Sequence, residues 1–181
     1  MTDNCDTESD GSCPFPQGRF DGPAEFQQWI RLALHGAAEQ GLRELILCDR
    51  DFRDWPLGER EVLEALNAWA SAGGPSSGRS PRKCIVLAGS FEFLRARHPR
   101  FVQWRTRWDH IIECRLLGTR NASDIPSAIW APGWCLQRLD VERSRGTATT
   151  DARHGLVLHE HLREWIASRS RPGFPATILG L

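Results

Sequence analysis

The chain has no tyrosine, one methionine and one lysine in 181 residues, so 22 of its 23 basic residues are arginine. That bias most simply reflects GC-rich coding and carries no mechanism. No apolar run approaches the ~18 residues needed for a membrane-spanning helix, which excludes that class of protein. The first 18 residues have no basic start and no apolar core, so they read as neither a signal peptide nor a mitochondrial presequence. Also missing are a C-x-x-C pair, a glycine-rich phosphate loop, a G-x-S-x-G elbow and an H-E-x-x-H helix. The histidines His154, His159 and His161 are not spaced i, i+4, so they lack the helical zinc geometry. These absences remove most well-marked enzyme classes.

What remains is ordinary globular material. Hydrophobic residues make up 40% and charged residues 25%, enough to bury one core in a chain of this length. Cys48, Cys84, Cys114 and Cys135 sit in apolar contexts, where cysteine behaves as a small hydrophobe. With Cys5 and Cys13 they are expected to be reduced thiols of a cytoplasmic protein.

The formal net charge is zero, yet the charges are segregated. Residues 1–18 carry −4, residues 19–78 carry −4, residues 79–107 carry +7 and residues 108–181 carry +1. Residues 1–18 are expected to form a disordered acidic tail, and residues 19–181 a single domain.

From residue 20 the pattern alternates. Phe26, Trp29, Ala33 and Ala37 mark one stripe of a helix opened by Asp21 and Pro23. Leu42–Cys48, Cys84–Ala88 and Ile111–Leu117 are short apolar runs without polar alternation, as in strands covered on both faces. Helices are expected between them, then a hairpin around Pro132–Gly133 and a last helix near 155–168. The expectation is an α/β layered fold with a central, mostly parallel sheet of about five strands flanked by helices.

In such a sheet, ligands bind at the carboxyl ends of the strands. That rule selects Asp49-Arg50-Asp51, Gly89-Ser90 and Gly118-Thr119-Arg120-Asn121. Asp49 and Asp51 could hold Mg²⁺ and present a nucleophilic carboxylate; they could equally cap and lock loops, Asp49 accepting from the Gly89–Ser90 backbone. Arg50 and Ser90 are candidate anion ligands at the same edge. The run from Arg95 to Trp108 mixes arginines with aromatics. Phe101, Trp104 and Trp108 share a helical face and read as core, which leaves Arg97, Arg100, Arg105 and Arg107 outside as a positive surface. The acids of residues 1–64 could satisfy this patch within the chain.

The Asp-x-Asp after an apolar strand looks like the opening motif of the haloacid dehalogenase-like phosphohydrolases. The chain departs from that pattern at Arg53 and in its only lysine, Lys83, which precedes a strand. More extensively, Glu44–Trp55, Pro56–Arg60, Arg107–Arg115, Pro126–Trp134, Gln137–Glu142 and Pro172–Leu181 resemble an uncharacterised family of short bacterial proteins, over about residues 19–181. That resemblance implies no activity. The element order is similar to one half of a phospholipase D-like fold, whose signature His-x-Lys-x4-Asp belongs near Ser127–Leu139. The chain has neither His nor Lys there, so the resemblance implies a non-catalytic relative.

The sequence thus favours a cytoplasmic, non-catalytic module that binds an anionic small molecule or an acidic protein surface, needs no cofactor and contacts no membrane. One alternative is a Mg²⁺-dependent phosphoryl hydrolase using Asp49 and Asp51. Another is a nucleic-acid-binding protein using Arg95–Arg107.

Overall fold

A computed structural model describes residues 15–73, 82–118 and 122–174. In chain order the elements are β1 (Gly18–Asp21), α1 (Pro23–Glu39), β2 (Glu44–Asp49), α2 (Arg60–Ser71), β3 (Lys83–Ala88), α3 (Glu92–Arg97), α4 (Pro99–Arg107) and β4 (Ile112–Leu117). There follow a 3-10 turn (Ala122–Asp124), β5 (Ser127–Ala131), β6 (Trp134–Asp140), β7 (Arg145–Thr149), α5 (Ala152–Glu164), a π-helical turn (Trp165–Arg169) and β8 (Ser170–Pro172).

The eight strands form one sheet in the order β1-β7-β6-β5-β2-β3-β4-β8. Only β2–β3 and β3–β4 pair in parallel; the other five pairings are antiparallel. This corrects the expected five-stranded, mostly parallel sheet, although the fold stays α/β. The three apolar runs are the parallel centre, as their composition implied. The correction comes from strands without apolar runs. β7 (Arg-Gly-Thr-Ala-Thr), β1 (Gly-Arg-Phe-Asp) and β8 (Ser-Arg-Pro) join the sheet through backbone pairing, and β5–β6–β7 is a meander rather than one hairpin.

Alternation along β2 and β3 divides the core. Leu45, Leu47, Cys84 and Val86 face a cluster with Phe26, Ile30, Leu34, Leu66, Trp69, Leu94 and Phe101 from α1 to α4. Ile46, Cys48, Ile85 and Leu87 face Leu158, Leu162 and Trp165 from α5 and the turn after it. One face of the sheet therefore carries four helices and the other one. Trp130 and Trp134 bracket the Pro132–Gly133 turn and separate accordingly. Trp134 is buried on the four-helix side, while partly exposed Trp130 stacks on His159 under α5, centroids 3.9 Å apart.

The described chain begins before residue 19. Phe15 stacks on Trp134 at 5.0 Å, and the Trp134 indole donates to the Pro16 carbonyl. The remainder of the expected tail, residues 1–14, lies outside the described residues. Cys48, Cys84, Cys114 and Cys135 are free and buried, and among the described residues no helix is long and apolar enough to cross a membrane.

Candidate functional site

The carboxyl ends of β2 and β3 meet where Asp49 lies beside Ala88. Asp49 is the hub of this region. Its Oδ1 accepts from the backbone N–H of Asp51 (3.0 Å) and Phe52 (2.9 Å), closing the turn after β2. Its Oδ2 accepts from Trp55 Nε1 (2.9 Å), from the Ser127 hydroxyl and from Arg138 Nη2 (3.1 Å). Arg138 also donates to Ser127 Oγ and to Asp54 Oδ2, and its guanidinium lies 4.4 Å from the Phe26 ring centroid. Five donors thus surround a carboxylate with about four lone-pair sites, removed from water.

The loops are locked together by a different acceptor from the one expected. Gly89 and Ser90 both donate their backbone N–H to the Arg50 carbonyl, at 3.0 and 2.9 Å, not to the Asp49 carboxylate. The approach is close enough that any side chain at 89 would force its neighbours to shift. A Cβ there would sit 2.5 Å from Ile125 Cδ1 and 3.1 Å from the Arg50 carbonyl.

Asp51, Arg50 and Ser90 do converge, in a shallow cleft of about 260 Å³ completed by Glu92, Phe93 and Ile125. Asp51 is held by the Arg53 backbone N–H and lies near the guanidinium groups of Arg50 (3.3 Å) and Arg53 (3.7 Å). Arg53 stacks on Phe93 at 3.8 Å. Ser90 Oγ accepts from the Glu92 N–H. The cleft thus combines two carboxylates with arginines that are already engaged. Among the described residues no group of three His, Cys, Asp or Glu is placed to hold a metal ion. Thr119, Arg120 and Asn121 of the third predicted stretch lie outside the described residues.

Arg97 and Arg100 are not in the cleft. They flank His98, the residue between α3 and α4, whose buried Nε2–H donates to the Phe52 carbonyl at 3.0 Å. Burial holds the His98 pKa below its ordinary value, with Arg97 pushing the same way and the Phe52 bond and Glu59 opposing. His98 thereby joins the arginine-bearing helices to the turn that Asp49 organises.

The arginine surface is real but smaller than expected. Arg95, Arg97, Arg100 and Arg107 are exposed, whereas Arg105 is buried against Phe174, which corrects its placement on the outer surface. Phe101 is core, with Trp104 and Trp108 packed partly buried against it. Among the described residues no carboxylate pairs with any of these five arginines, while ten arginines elsewhere do form ion pairs. In particular, the acids of residues 15–64 do not neutralise the patch. Asp21 meets Arg145, Glu59 and Glu61 meet Arg31, and Asp49 and Asp54 meet Arg138.

The sequence reading missed Arg138, Ser127, Trp55 and His98. One signal was available: Arg138 follows Leu136 by two residues in a strand, so it shares that residue's inward face and needs a buried carboxylate.

No protein family's model matches the chain, and no curated protein matches it. Among solved structures it is similar to TrmBL2, an archaeal chromatin protein described as showing a novel mode of DNA binding. The TM-score is 0.58 at 12% identity, covering 85% of this chain and 53% of that one. The likeness is one of fold, and this chain spans about half the length of that protein.

Proposed function

We propose that this chain is a non-catalytic α/β module that binds an anionic partner through the outer arginines of α3 and α4. The observation carrying this reading is the set Arg95, Arg97, Arg100 and Arg107: exposed, on consecutive helices, and without a carboxylate partner among the described residues. Arg100, Gln103 and Arg107 recur at i, i+3 and i+7, which presents two guanidinium groups along one side of α4. Other arginines without a carboxylate partner there (Arg19, Arg43, Arg153, Arg171) are scattered over distant parts of the fold.

The hydrolase alternative draws no support from Asp49, whose oxygens are all occupied by donors inside the protein. Arg50 and Ser90 fit loop locking better than anion binding, because Asp51 and Glu92 share their cleft. The proposed kinship with a phospholipase D-like half points the same way, since residues 127–139 contain neither His nor Lys. The reading needs no cofactor and assumes a cytoplasmic setting in which the buried thiols stay reduced.

A nucleic acid is the second reading of the anion, favoured by the fold shared with a chromatin protein described as DNA-binding. One titration series addresses both. Labelled generic duplex DNA and a polyglutamate peptide are each titrated with the parent protein and with the Arg97→Ala/Arg100→Ala/Arg107→Ala variant, between about 50 and 200 mM salt. Binding that weakens with salt, and whose log–log slope falls by about 1 per phosphate-contacting arginine removed, is expected. Equal affinity of parent and variant for both polyanions defeats the proposal. Preference for the peptide over DNA defeats the nucleic-acid reading alone.

A further inference from the structure

We infer that Arg105, Arg95 and Phe174 form a clamp for a phosphate group at the edge of the arginine surface. Arg105 is 5% exposed, yet its Nε has no hydrogen-bond partner, and no carboxylate lies against its guanidinium among the described residues. Its neighbours are the Phe174 ring, 4.7 Å from the guanidinium carbon, and the Cys114 thiol, to which the guanidinium donates a hydrogen bond. That thiol supplies no counter-charge, because burial pushes its pKa up to about 11 although Arg105 pulls it down. Arg95 lies over the same Phe174 ring at 5.6 Å. Two guanidinium groups therefore share one aromatic ring, with no carboxylate paired to either among the described residues.

A buried, unpaired charge is costly unless something compensates it. The segments outside the described residues offer little. Residues 74–81, 119–121 and 175–181 contain no Asp or Glu, which leaves Asp3, Asp6, Glu8, Asp10 and the terminal carboxylate of Leu181. Phe174 is itself held in an unusual backbone conformation, φ 51°, by stacking on Phe91 at 5.4 Å and by the neighbouring Gly173 N–H, which donates to the Cys114 carbonyl. A phosphate dianion matches two guanidinium forks better than a single carboxylate does, since it offers more acceptor oxygens and twice the charge. The inference rests on the proposed polyanion face for the source of the phosphate; the unpaired arginines stand without it.

The test is thermal denaturation of the full chain in inorganic phosphate, against acetate and chloride at matched ionic strength. A melting temperature raised by phosphate beyond both controls is expected, growing with concentration as specific binding requires. The rise should vanish in Arg105→Leu, shrink in Arg95→Ala and persist in Arg100→Ala/Arg107→Ala. Without phosphate, Arg105→Leu should melt no lower than the parent, because it removes an uncompensated charge. The clamp is overturned if the parent shows no phosphate-specific rise, or if the rise survives undiminished in either Arg105→Leu or Arg95→Ala. If Arg105→Leu does not fold, Arg95→Ala decides: a diminished rise supports the clamp and an undiminished one rejects it. Loss of duplex binding in Arg100→Ala/Arg107→Ala, with no phosphate response in the parent, defeats the clamp and spares the polyanion face. The opposite pair of results defeats the face and spares the clamp.

Discussion

Arg138 Nη2 lies 3.1 Å from Asp49 Oδ2, joining the antiparallel meander to the parallel half of the sheet across 89 residues of sequence. The side chains are 2% and 3% exposed, so neither ion has water to fall back on. Ser127, between them in space, donates to Asp49 and accepts from Arg138, which fixes the geometry of the pair.

The costs of removing the two partners should therefore not add. Arg138→Met leaves Asp49 short of its strongest donor and is expected to lower stability by about 3–5 kcal/mol. Asp49→Asn should cost a comparable amount, and the double variant should cost clearly less than the sum of the two. Urea denaturation of the four proteins measures the coupling. Additive losses, or a loss below about 1 kcal/mol for Arg138→Met, would show that the pair does not hold the two halves together.

The buried His98 makes stability depend on pH. Its folded pKa lies below the ordinary 6.5, so the unfolded chain takes up a proton more readily than the folded one. The His98 contribution is whole above pH 6.5 and is lost as pH falls below that value toward the folded pKa. His98→Gln can keep a donor to Phe52 while abolishing the titration. Its urea midpoint should decline less than the parent's between about pH 7.5 and 5.5; parallel decline in the two proteins contradicts the assignment.

Two glycines should respond in opposite directions. Gly89→Ala forces a Cβ against Ile125 and the Arg50 carbonyl and is expected to cost about 1–3 kcal/mol. Gly155 lies inside α5, where an added Cβ would meet nothing within 4 Å. Gly155→Ala should therefore stabilise by about 0.5–1 kcal/mol through helix propensity. Denaturant midpoints of the two variants check both signs. A neutral Gly89→Ala would mean that the two loops are not packed as tightly as described.

Acrylamide should discriminate the two turn tryptophans. With the other indoles replaced by Phe, Trp130 should be quenched more strongly than Trp134, which is 2% exposed. Equal protection of the two would refute the difference in exposure between them.

Local chemistry was enough to locate much of this fold. Non-alternating runs such as Leu45–Cys48 and Ile85–Ala88 declare strands buried on both faces, and the 3.6-residue stripe of Phe26, Trp29, Ala33 and Ala37 declares a helix. The break at His98–Pro99 and the turn at Pro132–Gly133 are equally local, because proline and glycine act on their own backbone. Sheet membership of β1, β7 and β8 is different in kind. Those strands carry arginine, glycine and threonine and owe their conformation to hydrogen bonds with distant partners, such as Phe20 opposite Gly146 and Arg115 opposite Pro172. The roles of the charged residues were also decided in three dimensions. Asp49, Arg97 and Arg105 look alike as candidates along the chain. Burial beside Arg138 makes the first a lock, exposure keeps the second in water, and burial without a carboxylate among the described residues sets the third apart. A charge acquires its energetic meaning from its dielectric surroundings and nearest counter-charge, and here both come from residues far away in sequence.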